Sequence, residues 1–236
     1  MHNRVVKLGG PCVYCGTNVA TTKDHVLPEC LFLPPLPNNL IRVPACQPCN
    51  LKLSQDQDYL RDYLITDART EWHPTARALM AGSLTVARDT NRSRLARTAQ
   101  AHKDRGRNIP IEVATIYRLY QMMVCGMFYY LFEKRVPAEC IVSIFPADPN
   151  DSQAKARVET HIREVGSPAM TRWGQDGDVL AFLRPVEEDG VTLLYYGVVI
   201  FYLSIYLEVL IHPSTIPGAP LYAAFMRHNT NNVQNL

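Results

Sequence analysis

Three features that would make a sequence easy to classify are scarce in these 236 residues: an apolar leader, a strong charge of one sign, and a repeat. Residues 1–10 lack the continuous apolar stretch of a secretory signal, which argues against export. No internal repeat or low-complexity segment is evident, so solenoid and biased-composition architectures fall away. The net charge is only +2, which excludes little, because a nucleic-acid-binding face needs no more than a local excess of Lys and Arg. One run, residues 191–211, carries no charge until Glu208 and is about long enough to cross a bilayer as a helix. Its Tyr, Val and Ile content, the break at Gly197 and the turn-like Glu187-Glu188-Asp189-Gly190 before it suit buried strands instead, and no membrane partner is expected.

What is present is the composition of a folded globular protein, 47% hydrophobic and 19% charged, with only residues 228–236 reading as a polar tail. The length suits two modest domains or one domain with an appendage, and two is the expectation. Seven cysteines is an odd count, and two pairs stand in C-x-x-C spacing, which points to a reduced, cytoplasmic compartment.

Along the chain, residues 11–63 are short, loop-rich and punctuated by Cys, Pro and Asn, too small for an ordinary core without a staple. A helix is predicted over 56–69 and a second over 74–82, with Pro74 in its first turn and Gly82 after its last. Between residues 88 and 107 lie Arg88, Arg92, Arg94, Arg97, Lys103, Arg105 and Arg107 against Asp89 and Asp104, an excess of five positive charges. Such a stripe suits phosphates as well as it suits a solvated linker helix. Asn108 and Pro110 then open a long apolar helix, residues 111–135, interrupted by Gly126 and stopped by Pro137. Strands are predicted at 140–145, 179–184, 191–196 and 198–209. The fold class expected is α+β: a zinc-stapled module over 1–63, a helical basic connector over 64–107, and over 108–236 an antiparallel sheet packed on the long helix.

Cys12-Val13-Tyr14-Cys15 and Cys46-Gln47-Pro48-Cys49 supply four thiolates in two knuckles. Zinc favours four soft ligands in a tetrahedron, and two residues between cysteines let one tight turn present both sulfurs. A redox pair would need one C-x-x-C, and iron–sulfur clusters usually show other spacings. Cys30, Cys125 and Cys140 read as buried thiols.

Between the knuckles stand Asp24-His25-Val26-Leu27-Pro28 and Asn38-Asn39, and Asn50 follows the last cysteine. The series C-x-x-C, Asp-His-x-x-Pro, Asn, C-x-x-C-Asn resembles the HNH branch of the His-Me finger (ββα-metal) nucleases over about residues 11–63. The resemblance implies a ββα-metal module and DNA hydrolysis leaving 5′-phosphate and 3′-hydroxyl ends. His25 would be the general base, since an imidazole with an ordinary pKa of about 6.5 accepts a proton near neutral pH. Asp24 and Asn50 would hold a catalytic divalent ion, Mg²⁺ or Mn²⁺, which favour octahedral oxygen ligands, so that this ion is distinct from the structural zinc. Asn39, with Asn38 a close competitor, would brace the loop and orient His25, and Lys52 would touch phosphate. The plain alternatives are that Asn50 only caps a helix and that Asp24 pairs with Lys23 or an Arg on the surface. The loop between His25 and Asn39 departs from the family, being rich in Pro and apolar residues where relatives have a short polar one.

The leading expectation is therefore a DNA endonuclease. A zinc-stapled nucleic-acid- or protein-binding adaptor is the second, and a nuclease effector regulated through its C-terminal domain, with a protein partner there, is a third compatible with the first. His73, His102, His161 and His212 have no motif around them and read as ordinary surface or core residues.

Overall fold

A computed structural model describes residues 6–90, 113–147, 156, 159–160, 163, 171–174, 177–188 and 192–215. Near its start β1 (Thr22–His25) pairs antiparallel with β2 (Arg42–Ala45), setting Asp24 opposite Val43 and His25 opposite Arg42. The chain then turns directly into α1 (Gln47–Thr66), with Cys46 at its N-cap and a proline in its first turn, where the missing N–H costs nothing. The helix expected from 56 onward and the one opening at Asn50 are thus a single helix. Leu53, Leu60 and Leu64 fall on one stripe at helical spacing and are all buried.

After a short turn comes α2 (Pro74–Thr90), which runs through Gly82 rather than stopping there. A Cβ at Gly82 would meet nothing within 4 Å, so the glycine costs only its lower propensity, about 1 kcal/mol, and packing elsewhere outweighs it. The long apolar helix is α3 (Val113–Phe132). Ile116, Leu119, Tyr120, Met123, Val124, Met127 and Phe128 make it buried along a wide stripe, as its composition predicts.

The rest is a five-stranded antiparallel sheet built from β3 (Cys140–Ala147), β4 (Thr171–Trp173), β5 (Val179–Glu188), β6 (Thr192–Phe201) and β7 (Ile205–Pro213), in the order β3-β7-β6-β5-β4. The expected α+β class and antiparallel sheet are present. Rings of α3 lie on the sheet, with Phe128 4.7 Å from Tyr195 and Tyr120 5.7 Å from Phe201 between centroids. No helix among the described residues is long and apolar enough to cross a membrane, and from Thr192 onward the apolar run forms β6 and β7.

The break between those two strands is not at Gly197. It lies at Tyr202 and Leu203, whose φ angles of 50° and 54° make a tight left-handed turn without glycine. Holding such residues there costs of order 1–3 kcal/mol each, and the surroundings must over-determine the turn. They do so through Tyr202, which is fully buried, donates from its hydroxyl to Leu31 O at 3.0 Å and from its N–H to Asp178 O at 2.7 Å. Gly197 sits mid-strand because a Cβ there would come within 2.6 Å of the Phe182 carbonyl oxygen. β4 escapes sequence reading because three residues are too few to show a period.

One hydrophobic core crosses the boundaries expected at 63 and 107, joining Val26, Leu31 and Val43 of the first module to Leu60, Met123, Phe128, Val199 and Tyr202. One close approach is at Gly126 of α3, where a Cβ would lie 2.6 Å from Val26 Cγ2. The glycine that interrupts the apolar run in sequence is one place where helix and first module touch. His73 and His212 are both core residues, the latter 2.8 Å from Ser143 Oγ; His102 and His161 lie outside the described residues.

Candidate metal centre and adjoining pocket

Two local turns bring the cysteines together. In the first, Cys12 N–H donates to Asn18 O at 2.8 Å and Gly16 N–H to Cys12 O at 2.9 Å, which folds Cys12 and Cys15 onto one side. Gly16 has φ of 71°, and a Cβ there would overlap the guanidinium of Arg135, whose Nε also donates to Val13 O at 3.3 Å. In the second, Cys46 and Cys49 flank the first turn of α1, and Asn50 N–H returns to Cys46 O at 3.0 Å. Val13 N–H reaches Pro44 O at 3.1 Å and ties the knuckles to each other.

The four ligand atoms lie within 4.8 Å of one another, and Cys15 Sγ is 3.8 Å from Cys46 Sγ. Zinc–sulfur bonds of about 2.3 Å place tetrahedral sulfurs about 3.8 Å apart, so the group fits zinc in donor type and in spacing. Hydrogen bonds from the Thr17 side chain and Asn18 backbone hold the Cys15 thiol down at about 6. Burial and the neighbouring cysteines push Cys49 the other way. A dication would remove that conflict by stabilising all four thiolates at once.

Successive residues of a strand face opposite sides, and β1 obeys this. Asp24 points inward: it is 4% exposed, and its Oδ2 accepts from Tyr14 Oη at 2.6 Å. Burial raises its carboxyl to about 6, against the opposing pull of the Tyr14 and backbone His25 hydrogen bonds. Thr22, two residues earlier on the same face, accepts from Asn50 Nδ2 at 3.1 Å, and the same amide lies 3.5 Å from Lys23 O. Asn50 therefore reaches the strand that carries Asp24, from the first turn of α1.

His25 is half-buried and faces the other way, into a pocket of about 440 Å³ that it shares with Lys23, Glu29, Asn38, Asn39 and Arg42. Its Nε2 is 2.6 Å from Arg42 Nε and 3.4 Å from Glu29 Oε1. Burial lowers the imidazole pKa; Glu29 opposes this and Arg42 adds to it. The lowered pKa favours the neutral imidazole, whose Nε2 lone pair accepts the Arg42 Nε–H.

Asn39 is held by the sheet rather than by His25: its Nδ2 donates to Arg172 O at 2.9 Å, and its carbonyl accepts from Trp173 Nε1 at 3.0 Å. It braces the loop, and the partners orienting His25 are Arg42 and Glu29. Neither was singled out in the sequence, although Arg42 could have been found as the cross-strand neighbour of His25 once the hairpin is drawn. Tyr14 was likewise missed, hidden inside the first knuckle as an apparent spacer. Lys52 is exposed on α1. Arg88 belongs to α2, with its side chain not described, and Arg92, Arg94, Arg97, Lys103, Arg105 and Arg107 lie outside the described residues. Comparison with known protein families, with curated proteins and with solved structures finds no match to this chain.

Proposed function

We propose that this chain is a metal-dependent endonuclease of the HNH type that hydrolyses phosphodiester bonds in DNA, with His25 as general base and Asp24 with Asn50 holding Mg²⁺ or Mn²⁺. The observation that carries the reading is the Asn50 side chain on β1, one same-face step from Asp24, with His25 across the strand in an open pocket. Among the described residues β1 pairs only with β2, so a phosphate lying along its other edge would meet side chains from both faces. Asn50 spends Nδ2 on Thr22, and the Asp24 carboxylate accepts from Tyr14 Oη and the His25 backbone N–H, so a hard cation would take the Asn50 amide oxygen and the carboxylate's remaining lone pairs. Bound there, the ion would supply charge neutralisation at the scissile phosphate.

His25 takes a proton from a water beside the phosphorus, the water oxygen forms the new P–O bond, and the bond to the 3′-oxygen breaks with its electron pair; that oxygen takes a proton from solvent, leaving a 5′-phosphate and a 3′-hydroxyl. The Arg42 and Glu29 contacts of His25 both fall on Nε2, and a neutral imidazole that accepts from Arg42 there carries its proton on Nδ1. The transfer therefore requires Arg42 to release Nε2, as it would on turning to a phosphate. Lys52 and the stretch 88–107 would supply phosphate contacts along the strand. The full chain, zinc-loaded, should cut DNA only when Mg²⁺ or Mn²⁺ is added. Inertness toward plasmid, linear duplex, single-stranded DNA and RNA alike would end the proposal.

A second reading, a zinc-stapled nucleic-acid- or protein-binding adaptor, draws on the Tyr14–Asp24 bond, which gives the carboxylate a structural partner. Binding without cleavage, unaffected by His25→Ala, would select it. Regulation through the C-terminal half is compatible with either.

A further inference from the structure

The pocket beside His25 has a second wall that hydrolysis does not use. Besides Lys23, Glu29 and Arg42, its lining includes Leu36 and Pro37 of the unusual loop, Leu40 just after it and Tyr130 of α3. At about 440 Å³ the space lies within the range of roughly 300–1,000 Å³ typical of small-ligand sites. We propose that it takes one unstacked nucleotide, with the phosphate at Arg42 and Lys23 and the base against Leu36, Pro37 and Tyr130. This rests on the nuclease reading and narrows its substrate to single-stranded or locally opened nucleic acid.

The wall is built rather than loose. Leu31 and Phe32 anchor the start of the loop in the core, where Tyr202 Oη donates to Leu31 O at 3.0 Å. The loop's end is fixed by Asn39, bonded to Arg172 and Trp173 of β4. Between these anchors Leu36 stays 42% exposed, an apolar side chain held at the pocket instead of in the core. Pinning at both ends removes most of the ordering cost that a mobile loop would add to binding. It also gives the C-terminal sheet a role, since β4 and the β6–β7 turn shape a site whose reactive residue lies in the first module.

The chemistry of the two walls is that of a nucleotide's two ends. Cations at Lys23 and Arg42 suit a phosphate, whereas the aliphatic and aromatic side chains suit the face of a base, which stacks without regard to sequence. Glu29, the one acidic residue of the lining, would repel a second phosphate and can accept an N–H from a base edge. A base still stacked in duplex cannot enter such a concavity, so it must leave the stack first.

The test is methyl NMR on the zinc-loaded full chain without magnesium, titrating deoxyadenosine 5′-monophosphate in one arm and inorganic phosphate in the other. The nucleotide should shift the Leu36, Leu40 and Ile41 methyls saturably, and phosphate, having no base, should leave them in place. Leu36→Asp, at an exposed position that spares the core, should weaken nucleotide binding about tenfold or more. Unmoved methyls, equal shifts from phosphate, or undiminished binding by Leu36→Asp would each overturn the proposal. Nucleotide shifts without any cutting would remove the nuclease and keep the pocket; cutting without shifts would do the reverse.

Discussion

The two ends of this protein are held by different forces. Around the knuckles the local apolar cluster is Cys12, Ala45 and Cys46 with Tyr14, Cys15 and Cys49 packed against it, and the four sulfurs lie close enough together that they could hold an ion. In the sheet, by contrast, long strands place Val199, Phe201, Val209 and Ile211 against α3, and burial alone suffices. Chemistry that must hold a metal leaves its mark in residue identity and spacing, whereas a core built from area leaves only a period. His25 sits on the knuckle end, and the loop that lines its pocket is tied to the sheet through Asn39.

The largest expected effect breaks the first end while sparing the second. Apparent zinc-binding energies in small zinc domains are about 10–16 kcal/mol, all of it folding energy. Cys46→Ser should therefore abolish zinc stoichiometry and collapse the β1–β2 hairpin signals in two-dimensional NMR, while amides of β6 and β7 stay protected. A hairpin intact without metal would contradict the contrast.

Next comes the joint between the ends. Gly126→Val forces a side chain into Val26 and should cost about 1–3 kcal/mol in urea unfolding, partly recovered when Val26→Ala makes room. Full additivity of the pair would mean that α3 and the first module do not meet there. Tyr202→Phe keeps the ring but removes the bond to Leu31, and a loss of about 1 kcal/mol is expected. The smallest effect has the opposite sign: Leu203→Gly relieves a positive φ at an exposed turn and should change stability by less than about 1 kcal/mol, toward greater stability.

How much of this was legible follows from the same contrast. The four cysteines stand out in sequence because few other residues can offer soft metal ligands at that spacing. The turn at Tyr202-Leu203 does not, because long-range bonds to Leu31 and Asp178 hold a conformation that local preference opposes. Gly197 and Gly126 both look like breaks in the sequence and are instead close approaches, by a neighbouring strand in one case and Val26 in the other. Arg42 and Glu29 became visible beside His25 only once strand pairing and the turn after β1 placed them there. Asn39 was singled out by its place before Leu40-Ile41, whereas its partners come from β4, 133 positions away for Arg172.

The most direct test of the account pairs cleavage with metal content. Wild type and His25→Ala, each assayed for zinc, are incubated with supercoiled plasmid with and without Mg²⁺. The account predicts one zinc per chain in both, Mg²⁺-dependent nicking by wild type, and a loss of about 10²-fold or more in the variant. A variant that nicks as fast as wild type with its zinc in place would contradict it.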